Sequence, residues 1–406
     1  MCGPVLAEDY LSWSDCVEQA LANNPDLVSA REKLNQARAD KAITESGLLP
    51  QVTADASGGR SEGPSGKPAN KYTYGLDGSQ LLFDGFKIAA DVAASGKIIT
   101  ASQYDYYVTS SDVRLGLSVA FVELLRAYAL LDVTEEIASR RRQNLELVDL
   151  LYQAGREHKG SLAQAKADVE QAEFEIIEAK RSIELSQRRL LKELGYAFFM
   201  PLCISGNLER SSWDREKPDF ELLAETTPFL NTLIAKKEAA RFDLNSAKAD
   251  YFFPKVYADG SIGKNDDKIL PSENEWAFGL RISYPLYEGG RKLANIKKAK
   301  AALGESEATE RSGRDGVIYT LQEMWTEWQN AIDRIGVQRA FLEASELRAS
   351  ITQAEYANGL ALFDNWTIIE DELSKNRKAY LNSLAEALIA EAYWIQAKGG
   401  MLENAE

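Results

Sequence analysis

The chain has 406 residues, 45% hydrophobic and 27% charged, with a formal net charge of −15. It is too polar for a bundle of membrane helices and has no run of ~18 apolar residues to supply one. The acidic balance excludes a nucleic-acid surface, which needs clustered cations against phosphates. Cys2, Cys16 and Cys203 form neither a disulfide framework nor a zinc spacing, and His158 is the only histidine. With no nucleophile–base pair, phosphate loop or metal cluster in view, no enzyme and no cofactor are expected.

Val5-Leu6-Ala7 before Glu8-Asp9 reads as the tail of a signal peptide, without the charged start and apolar core that would precede it. Cys2 behind Met1 is alternatively a lipid-bearing cysteine. A Cys16–Cys203 bridge would join the segments flanking the first repeat, although buried or free thiols are the simpler expectation. Asp9 to Pro25 is amphipathic, with Trp13, Val17 and Leu21 on one side. Pro25 suits a first helical turn, and the helix it opens runs to about Ser46-Gly47. A strand follows over 50–60, a Gly/Pro/Ser-rich turn over 61–71, and a second strand over 72–83.

Punctuation then stops. No proline occurs from Ala69 to Met200, or from Leu286 to the C-terminus, although the chain has 11. Proline breaks helices, so each stretch is expected to be a pair of long antiparallel helices. The first pair covers 86–195, with a turn at Gly155–Gly160; at ~1.5 Å per residue its longer helix approaches ~100 Å. In the return helix Leu162, Ala165, Val169, Ala172, Ile176, Ala179, Ile183, Ser186 and Leu190 are spaced alternately three and four apart. A sustained 3.5-residue repeat means coiled-coil packing. Trp366, Ile369, Leu373, Asn376, Tyr380, Ser383, Ala387, Ala390 and Trp394 repeat the register in the second half.

The second half restates the first at an offset of 204. Pro50, Val52, Ala54 and Asp55 match Pro254, Val256, Ala258 and Asp259; Gly75, Leu76 and Gly85 match Gly279, Leu280 and Gly289; Tyr152 and Gly155 match Tyr356 and Gly359. One shift over so long a span means an internal duplication. The expected plan is a first repeat over 1–197, a connector over 198–227 and a second repeat over 228–406. The second repeat holds strands over 254–264 and 275–287 and a helix pair over 290–398. In the last strand Trp276, Phe278, Leu280, Ile282 and Tyr284 alternate with Ala277, Gly279, Arg281 and Ser283. Period two gives one apolar and one wet face, and a strand that is apolar outward, polar inward and bounded by aromatics suits a membrane barrel. Tyr72 and Tyr74 extend the aromatic set. Four strands cannot close a lipid-spanning barrel, so other copies must complete it.

These features, with Ala20-Leu21-Ala22-Asn23-Asn24-Pro25, Leu82-Phe83-Asp84-Gly85, Leu286-Tyr287-Glu288-Gly289-Gly290 and Tyr356-Ala357-Asn358-Gly359-Leu360, resemble the TolC-like outer-membrane efflux proteins over nearly the whole chain. The resemblance implies an α+β, mostly α fold: an α-helical barrel of long antiparallel coiled-coil helices, with four β-strands per chain given to a shared trimeric transmembrane β-barrel. It implies a homotrimer in the outer membrane of a Gram-negative bacterium, extending into the periplasm. The chain would be a passive exit duct for efflux or type I secretion, in contact with the lipid bilayer, a periplasmic adaptor and an inner-membrane pump or ABC transporter. The adaptor-docking tips would be Tyr152, Gly155, Tyr356, Gly359 and Leu360, with Leu362 and Phe363 adding apolar surface. Candidate residues for the pore mouth are Asp364, Asn365 and Asp371, with Glu370 beside them; many relatives carry an acid where Asn365 stands. Arg140-Arg141-Arg142 is read as a salt-bridging run and His158 as a turn residue. The competing reading is a soluble coiled-coil scaffold or adaptor with a small sheet. A soluble sheet would rarely expose aromatics at every outward position.

Overall fold

The computed structural model describes residues 10–62, 68–266, 269 and 274–405. The expectations for Cys2 and residues 5–7 lie outside the described residues, as do parts of both strand-connecting loops. In chain order the elements are β1 (Tyr10–Leu11), α1 (Trp13–Asn23), α2 (Pro25–Ser46), β2 (Gln51–Glu62), β3 (Pro68–Phe83), α3 (Lys87–Gln153) and α4 (Lys159–Glu193). There follow β4 (Cys203–Ile204), α5 (Phe220–Thr226), α6 (Pro228–Phe252), β5 (Lys255–Asp266), β6 (Asn274–Ser283), α7 (Arg291–Ala357) and α8 (Phe363–Ala397). Both α3 and α7 are 67 residues long, and α4 and α8 are both 35, so the duplication is carried through to element length.

The backbone keeps the same register. Among the described residues, every one with positive φ belongs to a pair 204 apart: Gly85 with Gly289, Phe86 with Gly290, Gly155 with Gly359, Gly195 with Gly399. Strand β6 is shorter than expected, because Pro285 has no N–H to give a ladder; Tyr284 therefore lies beyond the strand. Strands β2 and β3 instead reach into the expected 61–71 loop.

The chain divides into two compact units that cut across the repeats. One contains residues 31–106 and 228–315. Its sheet has order β2-β3-β5-β6, antiparallel throughout, with β3 and β5 central and, among the described residues, the outer edges of β2 and β6 unpaired. The strands are 12, 16, 12 and 10 residues long, enough to cross a bilayer, which takes ~9–11. A bulge between Leu81 and Phe83 pairs Phe83 with Val256.

The other unit contains the residues up to Ala30, with 107–227 and 316–406. Heptad positions of α4 and α8 are buried or half-buried throughout, as coiled-coil packing requires. One cluster joins Trp325, Trp328 and Trp394 to Leu321, with Trp213 and Phe220 of the connector packed on it. Residues 198–227, expected to be irregular with short elements, are tied down by β4, which pairs in parallel with β1, and by α5. Cys16 is a free, buried thiol, so the Cys16–Cys203 bridge does not form; Cys203 is disulfide-bonded elsewhere. Burial, with the nearby Asp15, pushes the Cys16 thiol up to about 12. Among the described residues no helix is long and apolar enough to cross a membrane.

Candidate functional site

The sheet sorts its side chains by chemistry. Val256, Ala258, Gly260 and Ile262 lie opposite Ile282, Leu280, Phe278 and Trp276, and Leu76 stands opposite Ile262 on one side and Ala54 on the other. Side chains at directly paired positions share a face, so this face is apolar across four strands. It is also open: Trp276 is 80% and Ile282 72% exposed. The opposite face carries Thr53, Asp55, Asp77, Ser79, Asp259, Ser261 and Arg281. Arg281 forks onto Asp259 (Nε–Oδ2 2.8 Å, Nη2–Oδ1 3.1 Å), Ser79 donates to Asp259 Oδ1 at 2.7 Å, and the guanidinium lies 4.5 Å from the Tyr257 ring centroid. Trp276, Phe278, Leu280 and Ile282 thus fall together on the apolar face, as the alternation required. Tyr284 does not join them: its hydroxyl donates to the Tyr251 carbonyl at 3.3 Å, on the link into α7.

In the other unit, both helix hairpins end in the same cap. The Arg156 N–H donates to Leu151 O and the Gly155 N–H to Tyr152 O; the Leu360 N–H donates to Glu355 O and the Gly359 N–H to Tyr356 O. That is the Schellman pattern, which needs a left-handed residue just past the helix. Gly155 (φ 71) and Gly359 (φ 75) supply it. Gly160, the expected far end of the first turn, lies inside α4. His158 caps that helix, its Nδ1 accepting from the Ser161 N–H at 3.2 Å.

The two hairpin ends are also fastened to each other. Tyr356 stacks on Trp366 with centroids 4.3 Å apart, over a core of Val148, Leu162 and Ala165. Its hydroxyl donates to Glu157 Oε2 at 2.9 Å. Burial alone would raise the Glu157 carboxyl, but hydrogen bonds from the His158 N–H and the Ser161 and Tyr356 hydroxyls, with the nearby imidazole, hold it below the usual range. Burial and the Glu157 charge push the Tyr356 phenol up. This cross-link had no signal in the sequence beyond the two turn motifs. Leu360 and Leu362 are 81% and 79% exposed, whereas Phe363 is half-buried against Tyr356 and Trp366, so it is not part of the open tip. Tyr152 is exposed.

The acidic residues separate. Glu370 is 2% exposed and held bidentately by Arg140 (2.6 and 2.8 Å), with Asn144 Nδ2 donating at 3.3 Å. It is therefore a buried counter-ion and not a pore residue. Asp371 bonds Arg141, and Arg142 pairs with Glu173 at 3.2 Å, so the basic run is consumed by salt bridges as expected. Asp364 and Asn365 are exposed in the first turn of α8, where a negative charge also suits the helix dipole.

Known proteins share this fold. The family model described as "Outer membrane efflux protein" matches residues 16–196 and 221–400, one match per repeat. The cation efflux system protein CusC of Escherichia coli K12 is 22% identical over 95% of this chain and 85% of its own. Outer membrane protein OprJ of Pseudomonas aeruginosa is 22% identical over 97% and 87%. The crystal structure of VceC from Vibrio cholerae superposes with a TM-score of 0.82 at 23% identity, covering 96% of each chain. With both repeats matched and the two-faced sheet in place, the chain belongs to the outer membrane efflux protein family and is an outer-membrane channel subunit with a periplasmic helical extension.

Proposed function

We propose that three copies close one passive duct, the outer edge of β6 in each pairing with β2 of the next to give a twelve-stranded barrel. The observation that carries this is the open four-stranded sheet, apolar on one face and polar on the other, with two unpaired edges. In lipid an unpaired edge leaves a row of N–H and C=O groups unsatisfied, at several kcal/mol each. Arg281, Asp259 and Ser79 then face water in the lumen. Native mass measurement in detergent is expected to give a trimer; a stable monomer or dimer refutes the reading.

The hairpin ends at Tyr152–Gly155 and Tyr356–Leu360 are the docking points for a periplasmic adaptor, which joins the duct to an inner-membrane pump or ABC transporter. Leu360 and Leu362 support this, since two exposed leucines one residue apart in a turn suit burial by a partner. Asp364, Asn365 and Asp371, the last exposed although paired with Arg141, are the candidates for the pore mouth, where threefold symmetry would multiply each charge or dipole. Relatives bear names such as cation efflux system protein and solvent efflux pump outer membrane protein. That spread fits a duct whose cargo is chosen by its partners.

A further inference from the structure

Between the start of α3 and the end of α6 runs an apolar groove of about 410 Å³, walled by Phe86, Phe242, Phe252 and Phe253 and lined along α3 by alanines including Ala89. Phe86 and Phe252 are 72% and 63% exposed. Aromatic side chains so open to water mark a surface that something apolar covers. Three observations say what.

The first is continuity. The bulge in β3 brings Phe83 opposite Val256, onto the apolar face of the sheet. Phe83 in turn meets Phe86 and Phe253, with centroids 5.9 and 6.0 Å apart. The apolar face therefore leads into the groove past one polar side chain of β3, Gln80 opposite Ala258, whose amide is spent on the Leu48 and Leu81 carbonyls. The second is position. Helix α3 follows β3 and α6 precedes β5, the two central strands, so the groove lies away from the edges where another copy would join. Since the helices extend into the periplasm, it opens where the periplasmic leaflet meets water. The third is charge. Lys248 lines the groove one helical turn from Phe252, on the side away from the sheet, and makes no ion pair among the described residues. The nearby cations are engaged: Lys87 with Asp91 at 2.7 Å, and Lys255 and Lys292 with Asp250 at 3.3 and 3.7 Å.

Phe86 adds a fourth point. It holds φ 67, a conformation disfavoured for a residue with a side chain, where its counterpart in the second repeat is Gly290. Retaining a phenylalanine there places a ring at the groove that the other repeat lacks. Strained positions persist where they serve a site.

We propose that the α3–α6 groove binds a phospholipid of the periplasmic leaflet, its acyl chain against Phe86, Phe253 and Phe83 and its phosphate on Lys248. The inference rests on the apolar sheet face being the lipid-facing one. The test reconstitutes the assembled protein in vesicles of phosphatidylethanolamine and phosphatidylglycerol containing a trace of phosphatidylglycerol with a diazirine-bearing acyl chain. After irradiation, labelled peptides are mapped by mass spectrometry. Label should concentrate on peptides spanning residues 85–93 and 242–253 as well as on the strands. It should fall several-fold at the groove, and not on the strands, in Ala89→Trp, which fills the space from an exposed position, and in Lys248→Glu, which reverses the surface charge. Label confined to the strands, or groove label unchanged in both variants, overturns the proposal. So does cross-linking of the groove to a second protein copy in place of lipid. Absence of label from the strands as well would instead overturn the assignment of the lipid-facing surface.

Discussion

Gly155 and Gly359 show what a single backbone angle dictates. A Cβ at Gly155 would meet nothing within 4 Å, and at Gly359 only Arg156 Nη2 at 2.8 Å, the movable end of a flexible side chain. Space is thus no obstacle at either; the left-handed φ is, at about 1–2 kcal/mol for a side chain there. Valine at either position should loosen its cap by a similar amount. Only Gly359→Val should abolish export, because its turn carries Leu360 and Leu362; cellular efflux measured beside trimer abundance checks this. Leu360→Asp should block export at normal abundance, and normal transport would dismiss that turn as the docking site. The Glu157–Tyr356 bond gives a pH dependence. The Glu157 carboxyl sits below its ordinary value, so its contribution is complete above that value and is lost as pH falls through the lowered one. Tyr356→Phe should remove one donor, move the Glu157 carboxyl back up and shift that loss to higher pH, as carboxyl NMR titration would register. The turn glycines were legible because their conformation demands a residue type; the pairing of Glu157 with Tyr356 was not, since nothing in either turn names the other.

At the scale of elements, the strands and the coiled coils were legible for the same reason: each buries or exposes side chains on its own period. The alternation in β6 names its faces, and the heptads of α4 and α8 name their buried seams. Leu280→Asp or Ile282→Asp should therefore lower membrane assembly, by up to a few kcal/mol depending on depth. Arg281→Gln should be mild, since it leaves a neutral hydrogen-bonding group beside Asp259. Equal insertion yields for all three would refute the register. Arg281→Asp is the poorer control, because it would set two carboxylates side by side. What the strand pattern did not disclose is where β6 stops, which Pro285 decides, or that Glu370 is buried. Charges near a helix start look alike in sequence; Arg140, 230 residues away, determines which of them is withdrawn from solvent. Glu370→Ala should strand that guanidinium and destabilise the hairpin by about 3 kcal/mol, whereas Asp364→Ala should cost only the helix-dipole term, under ~1 kcal/mol, in thermal unfolding.

For the whole molecule, the duplication organises the chain but not its compact parts, since each unit draws on both repeats. The 204-residue offset could be read from aligned motifs. The division into units could not, because it depends on where the long helices change neighbours. The repeated caps have a further consequence for stoichiometry. In the proposed trimer, three chains would present six turns with one backbone geometry, a ring of approximate sixfold symmetry. Its side chains would obey only threefold symmetry, Arg156-Glu157-His158 alternating with Leu360-Ala361-Leu362 around the rim. A partner that grips the caps through their shared shape would saturate at six per ring. One that reads side chains would find two kinds of socket and stop at three, leaving every second position vacant for a different guest.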